Sequence, residues 1–363
     1  MNSRADIWCI IGAGMGGKGL AAQLGTDGMR LRVHDIDEAQ ISGMRDAGGV
    51  HVEGREKVFA PVELATTDLA AAVEGTSVIL ISTYGNAHPA VAQMLAPLLV
   101  DGQTIVLIQG HFAGSLAFRT ALDSAGCRAD VDVCDMDAYP YMLTVKSQDS
   151  VLMTSTKETW ALAAHPAHRA ASIMDKIGFA FPGMKVAPSF LHTSFNDIGG
   201  LFHAAGMVTN VAMVESPGAY NFYANNMVPG VCRLIERLDE ERVAAARAYL
   251  VDVPNVYDWL AETYSLRHPT LEQSLQEMAI THYRYAPAPK SLEHRYLVQD
   301  VGCDLVPMAE LGRVAGVKTP AMEAVVGIAN ALTGRDFAVE GRNLRNLGLE
   351  GKSVKEIIAY VSA

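Results

Sequence analysis

The stretch Cys9–Gly25, CIIGAGMGGKGLAAQLG, joins an apolar run to a cluster of glycines and then to a helical pattern. Asp6–Ile11 reads as a strand covered on both faces. Gly12-Ala13-Gly14-Met15-Gly16-Gly17 then fits G-x-G-x-x-G, in the strand–turn–helix context that this motif needs. Gly12 permits the tight turn, Gly14 lets the backbone approach a pyrophosphate, and Gly17 lets helix and strand pack closely. The free N–H groups at the positive end of the helix dipole would hold the anion. Asp35 closes the second strand. A carboxylate there accepts hydrogen bonds from the adenosine ribose hydroxyls and repels a 2′-phosphate. Ile36, Asp37 and Glu38 follow it with no Arg or Lys among them, so the expected cofactor is NAD rather than NADP.

Outward from this turn, short apolar runs alternate with helical patterns. Strands are expected at Leu31–Asp35, Ser77–Ser82, Thr104–Ile108 and Asp130–Asp135, and helices at His88–Leu99 and Ser115–Ser124. Such alternation indicates an α/β domain with a doubly wound, Rossmann-type parallel sheet. Ser150–Ser155, a helix at His168–Ile177 and a short strand near Met184–Ala187 are expected to complete it. Beyond Pro188 the pattern is helical. One long helix is expected over Asn225–Tyr249, with Val228, Val231, Leu234, Ile235 and Leu238 on one face. Others follow at Val256–Tyr264, Leu271–His282, Met308–Ala315 and Thr319–Leu332, and a last one starts at Ser353 with a capping box. The expected division is a dinucleotide-binding domain over 1–188 and an all-helical domain over 189–363.

Composition bounds the function. The formal net charge of −11 disfavours nucleic acid, whose phosphates need clustered Lys and Arg. No apolar run reaches the roughly 18–20 residues that span a bilayer, and the opening MNSRADIW lacks the apolar stretch of a signal peptide. The 5 cysteines show no C-x-x-C spacing, as expected for reduced thiols in the cytoplasm. With no H-x-x-H or H-E-x-x-H pattern, no metal is expected. The charged run Arg233–Arg247 reads as a solvated helix face.

Three further segments resemble the octopine/opine dehydrogenase family. His294–Pro320, HRYLVQDVGCDLVPMAELGRVAGVKTP, is similar to the family pattern H-R-Y-L-x-x-D-x-x-x-x-L-V-P-x-A-x-L-G-x-x-x-G-V-x-T-P. Thr193–Asn210, TSFNDIGGLFHAAGMVTN, resembles T-S-L-x-N-x-N-P-x-x-H-x-P-G-x-x-x-N, and Ala87–Gly110 is the third segment. The resemblance implies reduction, with hydride from NAD(P)H, of an imine formed from a 2-oxo acid and an amino acid. It places the catalytic His on His203, its partner Asp on Asp300, the Arg that grips the oxo-acid carboxylate on Arg295, and a carboxylate near the amine on Asp137. The partners implied are small molecules, and a homodimer is expected. The chain departs from the family at Asp197-Ile198-Gly199-Gly200, which replaces N-x-N-P, after Tyr141, and at Ile108-Gln109-Gly110. All three departures fall where substrate or nicotinamide should lie, which leaves the amine and the oxo acid open.

These residue types suit the chemistry on their own. A histidine titrates near neutrality and can donate a proton to a carbonyl or imine. A carboxylate on its other nitrogen fixes the tautomer. Arg presents two parallel donors to a carboxylate. Asn210 follows His203 at i+7 on one helical pattern and is expected to face the same space. Arg295 could instead form a surface ion pair with Glu293 or Asp300. Gly302 and Pro307 are expected to break the helix that carries Arg295 and Asp300. Two other functions stay open at this point: a 2-oxo acid or ketone reductase on the same two-domain plan, and a non-catalytic NAD-responsive protein.

Overall fold

The computed structural model describes residues 6–53, 58–157, 159–216, 218–284 and 288–363. Packing divides the chain into two compact units. One comprises the residues up to Thr83 with Ala87–Gly110 and Gly114–Phe190; the other comprises Tyr84–Asn86, His111–Ala113 and Leu191–Ala363.

In the first unit the strands are β1 (Ile7–Ile11), β2 (Arg30–His34), β3 (Gly49–Glu53), β4 (Val58–Pro61), β5 (Leu64–Thr66), β6 (Val78–Ile81), β7 (Thr104–Leu107), β8 (Asp132–Met136), β9 (Tyr141–Ser147), β10 (Ser150–Thr156), β11 (Trp160–Ala164) and β12 (Met184–Val186). Eight of them form one sheet in the order β12-β11-β8-β7-β6-β1-β2-β5. Its neighbours run parallel except β8 and β11. The residues of β6 and β7 are buried throughout, as strands covered on both faces require. This is the doubly wound sheet that the alternation predicts.

The other four strands form a second sheet, β4-β3-β10-β9. Ser150–Ser155 therefore does not extend the main sheet; it lies in β10, parallel to β3 and antiparallel to β9. Strands such as β3 and β9 carry exposed and half-buried residues along their length. Their mixed polarity hides them from a search for continuous apolar runs.

The second unit is helical. The expected helix from Asn225 is two elements, Phe222–Asn226 and Pro229–Ala248. Pro229 has no N–H to continue the earlier turn. It opens the second helix, and Val228 is left outside it and 45% exposed rather than in the core. The charged run on this helix is not all solvated. Arg242 is fully buried and pairs with Asp239 at 2.6 Å. Buried Glu241 accepts from the N–H groups of Ala321 and Met322 at 2.9 and 3.0 Å, where the helix Pro320–Thr333 begins. These charges serve as internal caps and staples. Nor does the chain break after Asp300. Helix Arg295–Asp300 passes through a π-helical turn, Val301–Leu305, into helix Val306–Val314. The capping box of Ser353 and Glu356 forms as read from sequence. All five cysteines are free thiols, and no described helix is long and apolar enough to cross a membrane.

Candidate active site

The glycine turn is built by steric necessity. Gly12 has φ 97°, and a Cβ there would stand 2.6 Å from the carbonyl oxygen of Ser82. A Cβ on Gly17 would lie 1.7 Å from the carbonyl oxygen of Gly12. Around Gly14, by contrast, nothing lies within 4 Å of a Cβ position. Gly14 caps the helix Met15–Thr26 without a side-chain hydrogen bond, and no acidic residue occupies the first turn. The N–H groups at this end are thus open to an anion, which fits a dinucleotide diphosphate. Asp35 holds the turn: its Oδ2 accepts from the N–H of Ala13 at 2.7 Å and its Oδ1 from that of Asp37 at 2.9 Å. Each carboxylate oxygen has a second lone pair for a ribose hydroxyl. Lys18 was not anticipated. It is buried, its Nζ donates to the carbonyl of Ala13 at 2.7 Å and to Gln40 at 3.1 Å, and burial lowers its pKa.

In the helical unit, the structure brings His203 and Asp300 together. His203 lies on helix Gly199–Thr209 and is 9% exposed. Its Nδ1 is 2.5 Å from Asp300 Oδ2. A carboxylate can only accept, so Nδ1 carries the hydrogen. The second oxygen of Asp300 accepts from Gln299 Nε2 at 3.0 Å, and Gln299 Oε1 accepts from the N–H of Gly85 at 2.8 Å. Burial alone would raise the Asp300 carboxyl, but the charge of His203 and its hydrogen bond, supported by His111 and Arg295, bring it down to about 2. Burial holds His203 below its ordinary 6.5, against the opposing pull of Asp300.

The H-R-Y-L segment now has a physical reading. His294 caps helix Arg295–Asp300 by accepting from the N–H of Tyr296. Tyr296 stacks on the His203 ring, with centroids 3.6 Å apart and planes 9° from parallel. The Arg295 guanidinium lies 4.8 Å from the centroid of Tyr296, and Leu297 is fully buried. Arg295 is half-buried and, among the described residues, in no ion pair. Glu293 pairs with Arg335 instead, and Asp300 with His203. A cation on an aromatic ring beside a buried His–Asp pair is ready to take a carboxylate.

Asn210 and Asp137 both have polar partners of their own. Asn210 ends the helix that carries His203, and its amide nitrogen donates to the carbonyl of Gly206 at 2.9 Å and to Thr209 at 3.0 Å. Asp137 lies in the first unit and is 7% exposed, with Oδ1 accepting from the N–H of Ala161 at 2.8 Å.

A second His–Asp cluster escaped sequence reading. His111 Nδ1 is 3.0 Å from Asp304 Oδ2 and 3.5 Å from Asp197 Oδ2, and all three residues are buried. Burial works against the His111 proton, but the two carboxylates and Asp300 more than offset it and raise the pKa. Asp304 Oδ1 accepts from the N–H of Phe112, and Asp197 Oδ1 from that of Gly199. A Cβ on Gly200 would stand 2.9 Å from that of Asp304. Within the segment that departs from N-x-N-P, Asp197 lies against His111 and Gly200 makes room for Asp304. Three separate segments supply the cluster, so no local spacing announces it.

A dinucleotide turn on a parallel sheet, with a helical unit bearing an Arg beside a buried His–Asp pair, defines an NAD(P)-dependent dehydrogenase. Residues 186–333 match the family model described as NAD/NADP octopine/nopaline dehydrogenase, alpha-helical domain. The chain is 32% identical over 355 residues to an opine dehydrogenase of Arthrobacter sp. (strain 1C), covering 98% of each chain. It is 26% identical over 295 residues to protein ocs of Agrobacterium tumefaciens (strain Ach5), covering 80% of each. Its fold matches that of an octopine dehydrogenase solved in complex with NADH and agmatine, with a TM-score of 0.75 and 19% identity over 98% of both chains. The chain belongs to the opine dehydrogenase family of NAD(P)-dependent oxidoreductases.

Proposed function

We propose that this protein is an NADH-dependent opine dehydrogenase that joins an amino acid, or another amine, to a 2-oxo acid such as pyruvate and reduces the resulting imine. The observation that carries this reading is Arg295, half-buried and outside any ion pair of the described residues, next to the buried His203–Asp300 pair. Arg295 would bind the oxo-acid carboxylate through its two-pronged donor edge. His203 would hold the proton that the condensation needs, and Asp300 would keep the imidazole in one tautomer and balance its charge. Asp137 is read as the carboxylate for the amine partner. The backbone from Gly12 to Gly17 would hold the cofactor diphosphate and Asp35 the ribose, and NADH when bound supplies the hydride.

The full-length likeness to an opine dehydrogenase supports the imine chemistry over simple ketone reduction. A homodimer in the cytoplasm belongs to the same reading, and light scattering tests the oligomer. The activity is tested by following NADH oxidation with a 2-oxo acid alone, an amine alone, and both, across an amino acid panel with pyruvate and glyoxylate. Oxidation only when both are present is the expected result. Equal rates with the oxo acid alone would make the protein a ketone reductase, and tight NADH binding without turnover would make it a non-catalytic sensor.

A further inference from the structure

His203 has two ring nitrogens, and both are occupied. Nδ1 faces Asp300, and Nε2 lies 2.9 Å from the hydroxyl of Tyr223. Tyr223 sits in the short helix Phe222–Asn226, whose first turn is locked by Asn221, with its Oδ1 accepting from the N–H groups of Tyr223 and Ala224 at 3.0 Å each. The phenol is 3% exposed, and the ring packs against Tyr283 at 4.7 Å and edge-on against Phe222 at 5.4 Å. Burial raises its pKa well above 10, so the hydroxyl keeps its hydrogen. A neutral phenol can accept from one neighbour while donating to another. Asp300 already occupies Nδ1, so a proton leaving His203 toward substrate starts from Nε2, and there it meets Tyr223.

We infer that Tyr223 is a catalytic residue of this enzyme, the last member of an Asp300–His203–Tyr223 relay whose phenol hands the proton to the substrate. The inference rests on the function proposed above. After the amine has added to the oxo carbon, the substrate hydroxyl takes the phenolic proton of Tyr223. In the same movement Tyr223 takes the Nε2 proton of the His203 imidazolium. The substrate C–O bond breaks, water leaves, and the nitrogen lone pair forms the C=N bond. His203 ends neutral with its Nδ1–H still on Asp300. Nothing is oxidised or reduced, and the reverse sequence serves opine oxidation.

The test is Tyr223→Phe, which keeps the ring and removes only the hydroxyl. With both substrates present, turnover should fall by about 10²-fold, the usual scale for general acid–base catalysis, while NADH affinity measured by fluorescence stays the same. The pH limb that follows His203 in wild type should flatten. The double variant with His203→Ala should be no slower than the slower single variant, because the two act as one unit. Wild-type turnover in Tyr223→Phe with the His203 limb intact would overturn the relay, since Nε2 would then reach the substrate unaided. Should Tyr223→Phe not fold, a ring-fluorinated tyrosine at 223 preserves the shape and makes the phenol more acidic. A rate that responds to ring acidity supports the relay, and one indifferent to it overturns it. A wild type silent on the whole substrate panel would remove the functional reading and the relay together, whereas an active wild type with an unimpaired Tyr223→Phe would remove the relay alone.

Discussion

Asp300→Asn isolates the electrostatic half of the candidate site. The substitution keeps the size and removes the charge that faces His203 Nδ1 at 2.5 Å. Charge centres about 4 Å apart attract by about 4 kcal/mol at an effective dielectric constant of about 20. That energy corresponds to about three pKa units. The imidazolium, already disfavoured by burial, should become rarer by about that margin, and turnover should fall on the order of 10³-fold. The asparagine amide can also donate to Nδ1, which reverses the tautomer and moves the hydrogen to Nε2. The assay is steady-state NADH oxidation with both substrates, beside NADH titration by fluorescence and a thermal melt to confirm folding. NADH affinity should hold, because the glycine turn and Asp35 belong to the other unit. A folded Asp300→Asn within about threefold of the wild-type rate, far short of the general acid–base scale, would return His203 to a packing role.

Asp35→Ser with Ile36→Arg should shift cofactor preference toward NADPH, and a wild type that uses NADPH as readily as NADH would contradict the assignment of Asp35. Arg295→Lys keeps the charge but loses the paired donors, so the KM for the oxo acid should rise while that for the amine barely moves. Asp137→Asn should do the reverse, and if both variants raise the same KM, the proposed roles of Arg295 and Asp137 are misassigned. Gly200→Ala places a Cβ 2.9 Å from that of Asp304 and should cost about 1–3 kcal/mol in urea unfolding, the range for overpacking. Asp304→Gly is itself destabilising, since it removes a carboxylate partner of buried His111, but the cost of Gly200→Ala should be smaller in that background, and strict additivity would contradict the contact. Because burial holds His203 below 6.5, its contribution to stability is complete above 6.5 and is lost as pH falls from there through the folded value. The stability advantage of wild type over His203→Gln should therefore shrink on acidification, and thermal melts showing a constant difference would count against it. Asp300 acts in the same direction further down, between 3.8 and about 2.

The parallel sheet was legible because buried strands and a glycine turn leave continuous apolar runs and a fixed spacing. The second sheet was not, since β3 and β9 mix exposed and covered positions. Arg242 and Glu241 look like surface charges in sequence. Only the folded chain sets Arg242 against Asp239 and Glu241 against the first turn of helix Pro320–Thr333. At the site, His203, Asp300 and Arg295 could be named from the resemblance, but the pairing of His203 with Asp300 could not be derived from spacing. The H-R-Y-L segment gives Tyr296 no role by itself; the role comes from its ring lying on His203 in the fold. Tyr223 and His111 carried no local signal at all, because their partners come from distant helices and loops. The Asp197 and Gly200 departures were visible as departures, and their meaning needed Asp304 in place.

Deuterated cofactor distinguishes imine reduction from ketone reduction in the product itself. NADH carrying deuterium at the transferable position of nicotinamide C4 is incubated with the enzyme, a 2-oxo acid and an amine, and the product is identified by mass spectrometry and NMR. One product is expected, with the mass of the two substrates plus the transferred deuterium and a proton, less one water. Its deuterium sits on the former oxo carbon, now bonded to nitrogen. A deuterated 2-hydroxy acid formed at the same rate whether or not the amine is present would contradict imine reduction.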